Sequence, residues 1–244
     1  YRPETDDFET FAHDPEDPAT LHATVIWSLA DAPGDRLWVG TYGGGLALFD
    51  PATGRARSWQ HVPADPASIP SNSVTAILPS RADPRALWLG TYDGGLARLD
   101  VRTGRFVRVG RADGLPDLTI KSILEDAEGD LWLGTDGGLV RYDPVSREVR
   151  TFTEADGLPS ATFGLYDATT LPDGRLAFVA GSHVVAFRPE ETRLARTQAP
   201  VVLRSLRVGG RRRAIPVGGA PLRLSPGERT LAVDHEQIRG GGLG

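Results

Sequence analysis

The chain has no cysteine and no methionine, and Lys121 is the single lysine among its 27 basic residues. Without cysteine there is neither a disulfide framework nor a thiolate metal site. Without methionine, even at its first position, the sequence reads as a piece of a longer protein, so no leader is sought at Tyr1. The near-absence of lysine reads as a genomic bias toward arginine. No apolar run approaches the ~20 residues of a membrane helix. Excess positive charge is missing too: a net charge of −5 argues against nucleic acid as a partner. The five histidines, His13, His22, His61, His183 and His235, are scattered, with no H-E-x-x-H spacing. There is no G-x-S-x-G elbow and no glycine-rich loop before a helix. The acidic run from Asp14 to Asp17 lacks the ligand spacing of a calcium loop. No metal or cofactor is therefore expected.

What is present is repetition. Leu131 to Pro144 reads LWLGTDGGLVRYDP, Leu87 to Asp100 reads LWLGTYDGGLARLD, and Leu37 to Pro51 reads LWVGTYGGGLALFDP. Trp38, Trp88 and Trp132 lie 50 and 44 residues apart, and a worn copy, LAFVAGSHVVAFRP, puts Phe178 46 residues further on. A period of 40 to 50 residues around a strand–turn–strand unit is a propeller-blade signature. Each unit has a preceding apolar strand (Val25–Leu29, Val74–Leu78, Ile120–Leu124) and a following hairpin that ends at Trp59, Val109 or Phe152. That makes four strands per copy. The tryptophans, with Phe178 in the worn copy, are expected to pack as blade core rather than to bind anything.

The spacing divides the chain into propeller repeats over 1–197. Residues 1–24 are the end of a truncated blade and its link, because YRPETDDFETF aligns with YDPVSREVRTF at 142–152. Blades follow at 25–60, 74–110 and 120–153, and a degenerate last blade at 165–197. The fold class is all-β: four-stranded antiparallel propeller blades in an incomplete ring. From 198 the pattern changes to VVLRSLRV, a basic triplet Arg211–Arg213 expected as a solvated turn, and further strand candidates at Leu222–Leu224 and Thr230–Val233 around the turn Ser225–Glu228.

The phrase ILEDAEGDLWLGTDGGL at 123–139 resembles the two-component regulator propeller repeat, and the DGLP links at Asp113 and Asp156 are similar to those between its blades. Residues 198–244 resemble the start of the immunoglobulin-like domain, named for its tyrosines, that follows the propeller in that family. The resemblance implies an extracytoplasmic, periplasmic sensing region of a membrane-anchored, homodimeric bacterial receptor. Many such parents are hybrid sensor histidine kinases and some are diguanylate cyclases, and the stimulus is often a saccharide. The fragment itself would then be no enzyme. A propeller lyase or glycosidase, with carboxylates drawn from different blades, and a passive interaction scaffold remain alternatives.

In a four-stranded blade the links and the turn after the tryptophan strand emerge on one face, around the central axis. This places Tyr42, Tyr92, Asp93 and Asp136 near that face, with Ser71, Asn72 and Asp117 just before inner strands and Lys121 within one. Aromatic faces beside carboxylates and amides suit an oligosaccharide. Taken singly, each is equally readable as an ordinary turn residue.

Overall fold

The computed structural model describes residues 3–23, 25–194, 201–208, 211–213 and 231–237. Contacts divide the chain into two units, Tyr1–Pro189 and Glu190–Gly244.

The first unit contains four antiparallel meanders. The first sheet is β1 (Ile26–Ala32), β2 (Arg36–Thr41), β3 (Leu46–Asp50) and β4 (Arg55–Trp59). The second is β5 (Val74–Pro79), β6 (Ala86–Thr91), β7 (Leu96–Asp100) and β8 (Arg105–Val109), and the third is β9 (Ile120–Glu125), β10 (Leu131–Thr135), β11 (Leu139–Tyr142) and β12 (Val149–Phe152). The last sheet has three strands, β13 (Phe163–Thr170), β14 (Leu176–Ala180) and β15 (His183–Phe187). Where the repeat predicts a fourth strand, the chain enters helix α1 (Pro189–Leu194) instead. Proline has no N–H for a strand ladder but suits a first helical turn, which the adjacent Glu190 and Glu191 favour electrostatically.

Inner strands β1 and β5, β5 and β9, and β9 and β13 pack side by side. Among the described residues no comparable packing joins β13 to β1, so the blades of this unit form an arc. Apolar side chains stay exposed on the end blades: Leu29 of β1 is 60% exposed and Val184 of β15 is 73% exposed.

The core lies between blades, and the repeated motif shows why. Trp38 is buried with Val74, Leu87, Leu89 and Phe106 of the second blade, and Trp88 with Ile123, Leu131 and Tyr142 of the third. Trp132 is buried with Phe163, Leu176 and Phe178 of the fourth. Each tryptophan thus fills the space against the blade that follows it. Two residues on, a glycine lets the next inner strand close in: a Cβ on Gly40 would meet Val74 at 2.9 Å, on Gly90 Ile120 at 3.0 Å, and on Gly134 Phe163 at 3.1 Å. The threonine after it clamps the turn. Thr91 Oγ1 donates to the Gly95 carbonyl at 2.7 Å and accepts from the Gly94 N–H at 3.0 Å, and Thr41 and Thr135 do the same in their blades. Gly95 has φ +80°, and a Cβ there would lie 2.5 Å from the Val109 carbonyl, so only glycine fits. The tryptophan, glycine and threonine of the repeated W-x-G-T phrase, with the glycines that follow, are therefore packing and turn chemistry.

The links are equally built. In DGLP, Asp113 accepts the Gly110 N–H at 2.8 Å and Asp156 the Thr153 N–H at 2.9 Å, each closing a 3₁₀ turn. In the longer links His13 Nδ1 lies 2.6 Å from the Leu21 carbonyl and His61 Nδ1 lies 2.8 Å from that of Ile69. The opening segment lies against the first blade through Phe11, whose ring meets Phe49 edge-on at 4.9 Å.

In the second unit, β16 (Val201–Val208) runs antiparallel between β17 (Arg211–Arg213) and β18 (Leu231–Gln237). Val208 pairs with Arg211 and Leu206 with Val233. The arginine triplet is thus a strand rather than the expected turn, and among the described residues it stands at the edge of this sheet. The strand expected at Leu222–Leu224 and the turn at Ser225–Glu228 lie outside the described residues.

Candidate functional site

Each inner strand carries an irregularity at the same place. Pairing with the tryptophan strand skips between Ile26 and Ser28, between Val74 and Ala76, and between Ile120 and Ser122. In the fourth blade the break widens to Phe163–Ala168. A bulge leaves one residue out of the ladder and re-aims its side chain. The re-aimed residues are Trp27, Thr75 and Lys121, and in the fourth blade the stretch Gly164–Asp167. All lie at the end of the blades from which the turns after β2, β6 and β10 emerge.

Trp27 gathers two of the residues singled out in the sequence. Its ring centroid is 4.8 Å from that of Tyr42 at an interplanar angle of 43°, and 5.9 Å from that of Tyr92 at 51°. Tyr42 follows the tryptophan strand of its own blade, whereas Tyr92 belongs to the next, so the cluster spans two blades. The backbone fixes both tyrosines: the Tyr42 N–H donates to the Val25 carbonyl and the Tyr92 N–H to that of Ser73, each at 3.0 Å. The rings remain open to solvent, with Tyr42 54% and Tyr92 49% exposed. Asp93, next in the turn, is exposed.

In the third blade Lys121 Nζ lies 2.6 Å from Asp136 Oδ1, joining two more of the singled-out residues. The Thr119 hydroxyl donates to the Tyr92 carbonyl, which ties this strand to the aromatic turn of the blade before it. In the fourth blade Tyr166 has φ +64° and is 46% exposed, and desolvation raises its phenol pKa above the ordinary 10.0.

The other three residues are placed differently. Ser71 is buried and its Oγ accepts the Ser73 N–H at 3.1 Å. Asn72 Oδ1 accepts the His61 N–H at 2.6 Å, and its carbonyl takes the Gly45 N–H at 2.8 Å. Asp117 accepts the Thr119 N–H at 2.8 Å and sits 3.3 Å from the Arg111 guanidinium. They shape the links. Trp27, Thr119 and Tyr166 escaped the sequence reading. For Trp27 the signal was present: in register, IWS, VTA and IKS put it opposite Thr75 and Lys121, an aromatic where its neighbours are polar.

At the opposite end of the blades, where β5–β6 and β9–β10 loops meet, lies a cavity of about 400 Å³ between the second and third blades. Its carboxylates are engaged. Asp83 Oδ2 takes the Arg98 guanidinium at 2.6 Å, Asp130 pairs with Arg141, and buried Glu125 accepts from the Ser80 hydroxyl at 2.8 Å and the Arg81 N–H at 2.6 Å. The Arg85 N–H above all holds the Asp83 pKa below its ordinary value, and the Ser146 hydroxyl does so for Asp143. A general acid needs the opposite shift. Among the described residues no group of three His, Asp or Glu is placed to hold a metal ion, and no helix is long and apolar enough to cross a membrane.

Comparison with known proteins places this geometry. Residues 114–137 match the family described as two component regulator propeller. Over 107 residues, 44% of the chain, the sequence is 33% identical to histidine kinase P4 of Formosa agariphila. The extracellular domain of a putative hybrid two component system from B. thetaiotaomicron superposes on 91% of the chain with a TM-score of 0.68 at 23% identity. A second such extracellular domain from that organism superposes on 72% with a TM-score of 0.61 at 22% identity. The chain spans 8% of the kinase's length and 28% and 24% of the two solved chains. At these identities the solved structures establish the propeller fold alone.

Proposed function

We propose that this chain, which carries the two component regulator propeller repeat, is part of the extracytoplasmic sensing region of a bacterial transmembrane receptor. The receptor is a two-component, hybrid sensor histidine kinase, anchored in the inner membrane as a homodimer. Its stimulus is an oligosaccharide bound on the face where the turns after the tryptophan strands emerge. The observation that carries the reading is the 33% identity over 107 residues to a histidine kinase; the likeness in fold to two extracellular domains of hybrid two component systems supports it. The chain contributes recognition and blade-to-blade rigidity, and the phosphotransfer chemistry belongs to other parts of the receptor.

Two measurements test this. The gene that encodes these residues should continue into a membrane-spanning helix and a kinase module, and a secreted product ending in a hydrolase domain would overturn the reading. Full-length receptor in vesicles should also change its autophosphorylation rate when oligosaccharide is supplied on the propeller side.

A further inference from the structure

Trp27, Tyr42 and Tyr92 belong to none of the buried clusters that hold the blades together. A partly buried indole in contact with two half-open phenols is more than a turn requires, since Asp136 occupies the tyrosines' position in the third blade. The bulge at Trp27 takes that residue out of the strand ladder and lays its ring against tyrosines of two blades. Ring centroids 4.8 and 5.9 Å apart mean that the rings touch one another. They do not face each other across a gap, as the walls of an ammonium cage do. The surface is a platform.

Its surroundings set the charge of what can lie there. Asp93 follows Tyr92 directly, Asp117 lies just before the strand that Thr119 ties to the Tyr92 carbonyl, and Asp136, in the turn after β10, pairs with Lys121 of that strand. The two cations of this region are both engaged, Arg111 with Asp117 and Lys121 with Asp136. Three carboxylates against two paired cations disfavour an anionic ligand. They offer acceptors for hydroxyls, and the Lys121–Asp136 pair supplies a donor beside an acceptor.

We propose that Trp27, Tyr42 and Tyr92 bind the apolar C–H face of a neutral pyranose ring, and that the Lys121–Asp136 pair takes hydroxyls of the adjoining sugar. This rests on the sensor reading only for the saccharide class. The platform rejects uronates and sulfated sugars through Asp93, Asp117 and Asp136, and it joins the first two blades through one ligand.

The test uses the complete extracytoplasmic region that carries this chain. It is titrated with neutral gluco-, manno- and xylo-oligosaccharides, with galacturonate oligomers of the same length, and with choline, followed by calorimetry and tryptophan fluorescence. A neutral oligosaccharide should bind, Trp27→Ala should weaken it at least about tenfold, and Trp27→Phe should restore most of the affinity, with both variants still fully folded at the temperature of the titration. Equal affinity in Trp27→Ala overturns the platform and leaves the sensor reading standing. Preference for galacturonate overturns the charge argument, and preference for choline overturns the reading of the rings as a platform rather than an ammonium cage. Trp27-dependent binding with no response of receptor autophosphorylation upholds the platform and removes the sensor reading. Binding of no saccharide removes both.

Discussion

Replacing Trp132 separates two contributions that the other blade tryptophans do not combine. Trp132 is fully buried, with its ring 5.7 Å from Phe152 and 4.7 Å from Phe187, centre to centre. Its Nε1–H donates to Asp126 Oδ2 at 3.0 Å. The other oxygen of that buried carboxylate receives the Glu128 and Asp130 N–H groups, both at 3.0 Å, and so shapes the turn into β10. Trp132→Ala removes the ring and leaves a void, a loss of about 3–5 kcal/mol. A hydrogen bond to a charged group contributes about 1.5–3 kcal/mol more. Together these approach the whole stability of an ordinary domain, about 5–15 kcal/mol, so the variant should be largely unfolded or lose its third and fourth blades. Trp132→Phe keeps most of the ring and removes the donor, so it should cost about 1.5–3 kcal/mol, chiefly the bond to Asp126. Urea unfolding followed by circular dichroism measures both, and an unchanged slope shows that the same surface is exposed. A Trp132→Phe protein within about 0.5 kcal/mol of wild type would refute the hydrogen-bond argument. A Trp132→Ala loss below about 2 kcal/mol would refute the burial argument.

Other substitutions check the same reasoning elsewhere. Trp88→Ala should cost about 3–5 kcal/mol, whereas Trp27→Ala should cost no more than about 1.5 kcal/mol, the scale of an aromatic pair; urea midpoints in the reverse order would contradict the division between core and platform. Gly90→Ala should lose about 1–3 kcal/mol by overpacking, because its methyl would meet Ile120 at 3.0 Å; a neutral result would mean that the second and third blades are less closely seated. Asp83 and Asp143 have folded-state pKa values below 3.8. Their contribution is therefore present above the unfolded value and lost as pH falls through the folded one. The thermal midpoint should drop as pH is lowered below about 4, and Asp143→Asn should flatten that drop; an identical pH profile in the variant would exclude Asp143 as a contributor.

The blades were legible because their signals are local and repeated: a tryptophan run, a glycine turn and a hairpin, three times over, with a worn fourth copy around Phe178. The end of the last blade was not, since Pro189 redirects the chain at a point where the apolar pattern alone still permits a strand. The arginine triplet misled for a related reason, as a run of charge does not by itself distinguish a turn from a short strand. On the candidate face, the positions of Tyr42, Tyr92 and Asp136 followed from knowing which turns emerge together, whereas the pairing of Lys121 with Asp136 did not. Ser71, Asn72 and Asp117 sit near the same turns, yet their side chains hold the links, a choice that depends on hydrogen-bond geometry no spacing encodes. Trp27 stood out only in register with Thr75 and Lys121, because a bulge breaks the alternation from which side-chain direction is read.

The glycine two residues after each blade tryptophan has a consequence for how such proteins change over generations. It receives the next blade's first inner-strand residue, so every unit carries a socket on its leaving side and a plug on its entering side. A duplicated or deleted unit brings or removes both together, and the new junction needs no matching mutations. Copy number can then drift freely while the interface chemistry stays constant. In the fourth unit the socket position is Ala180, fully buried, so a methyl group fills the place that the other units leave open for a following strand.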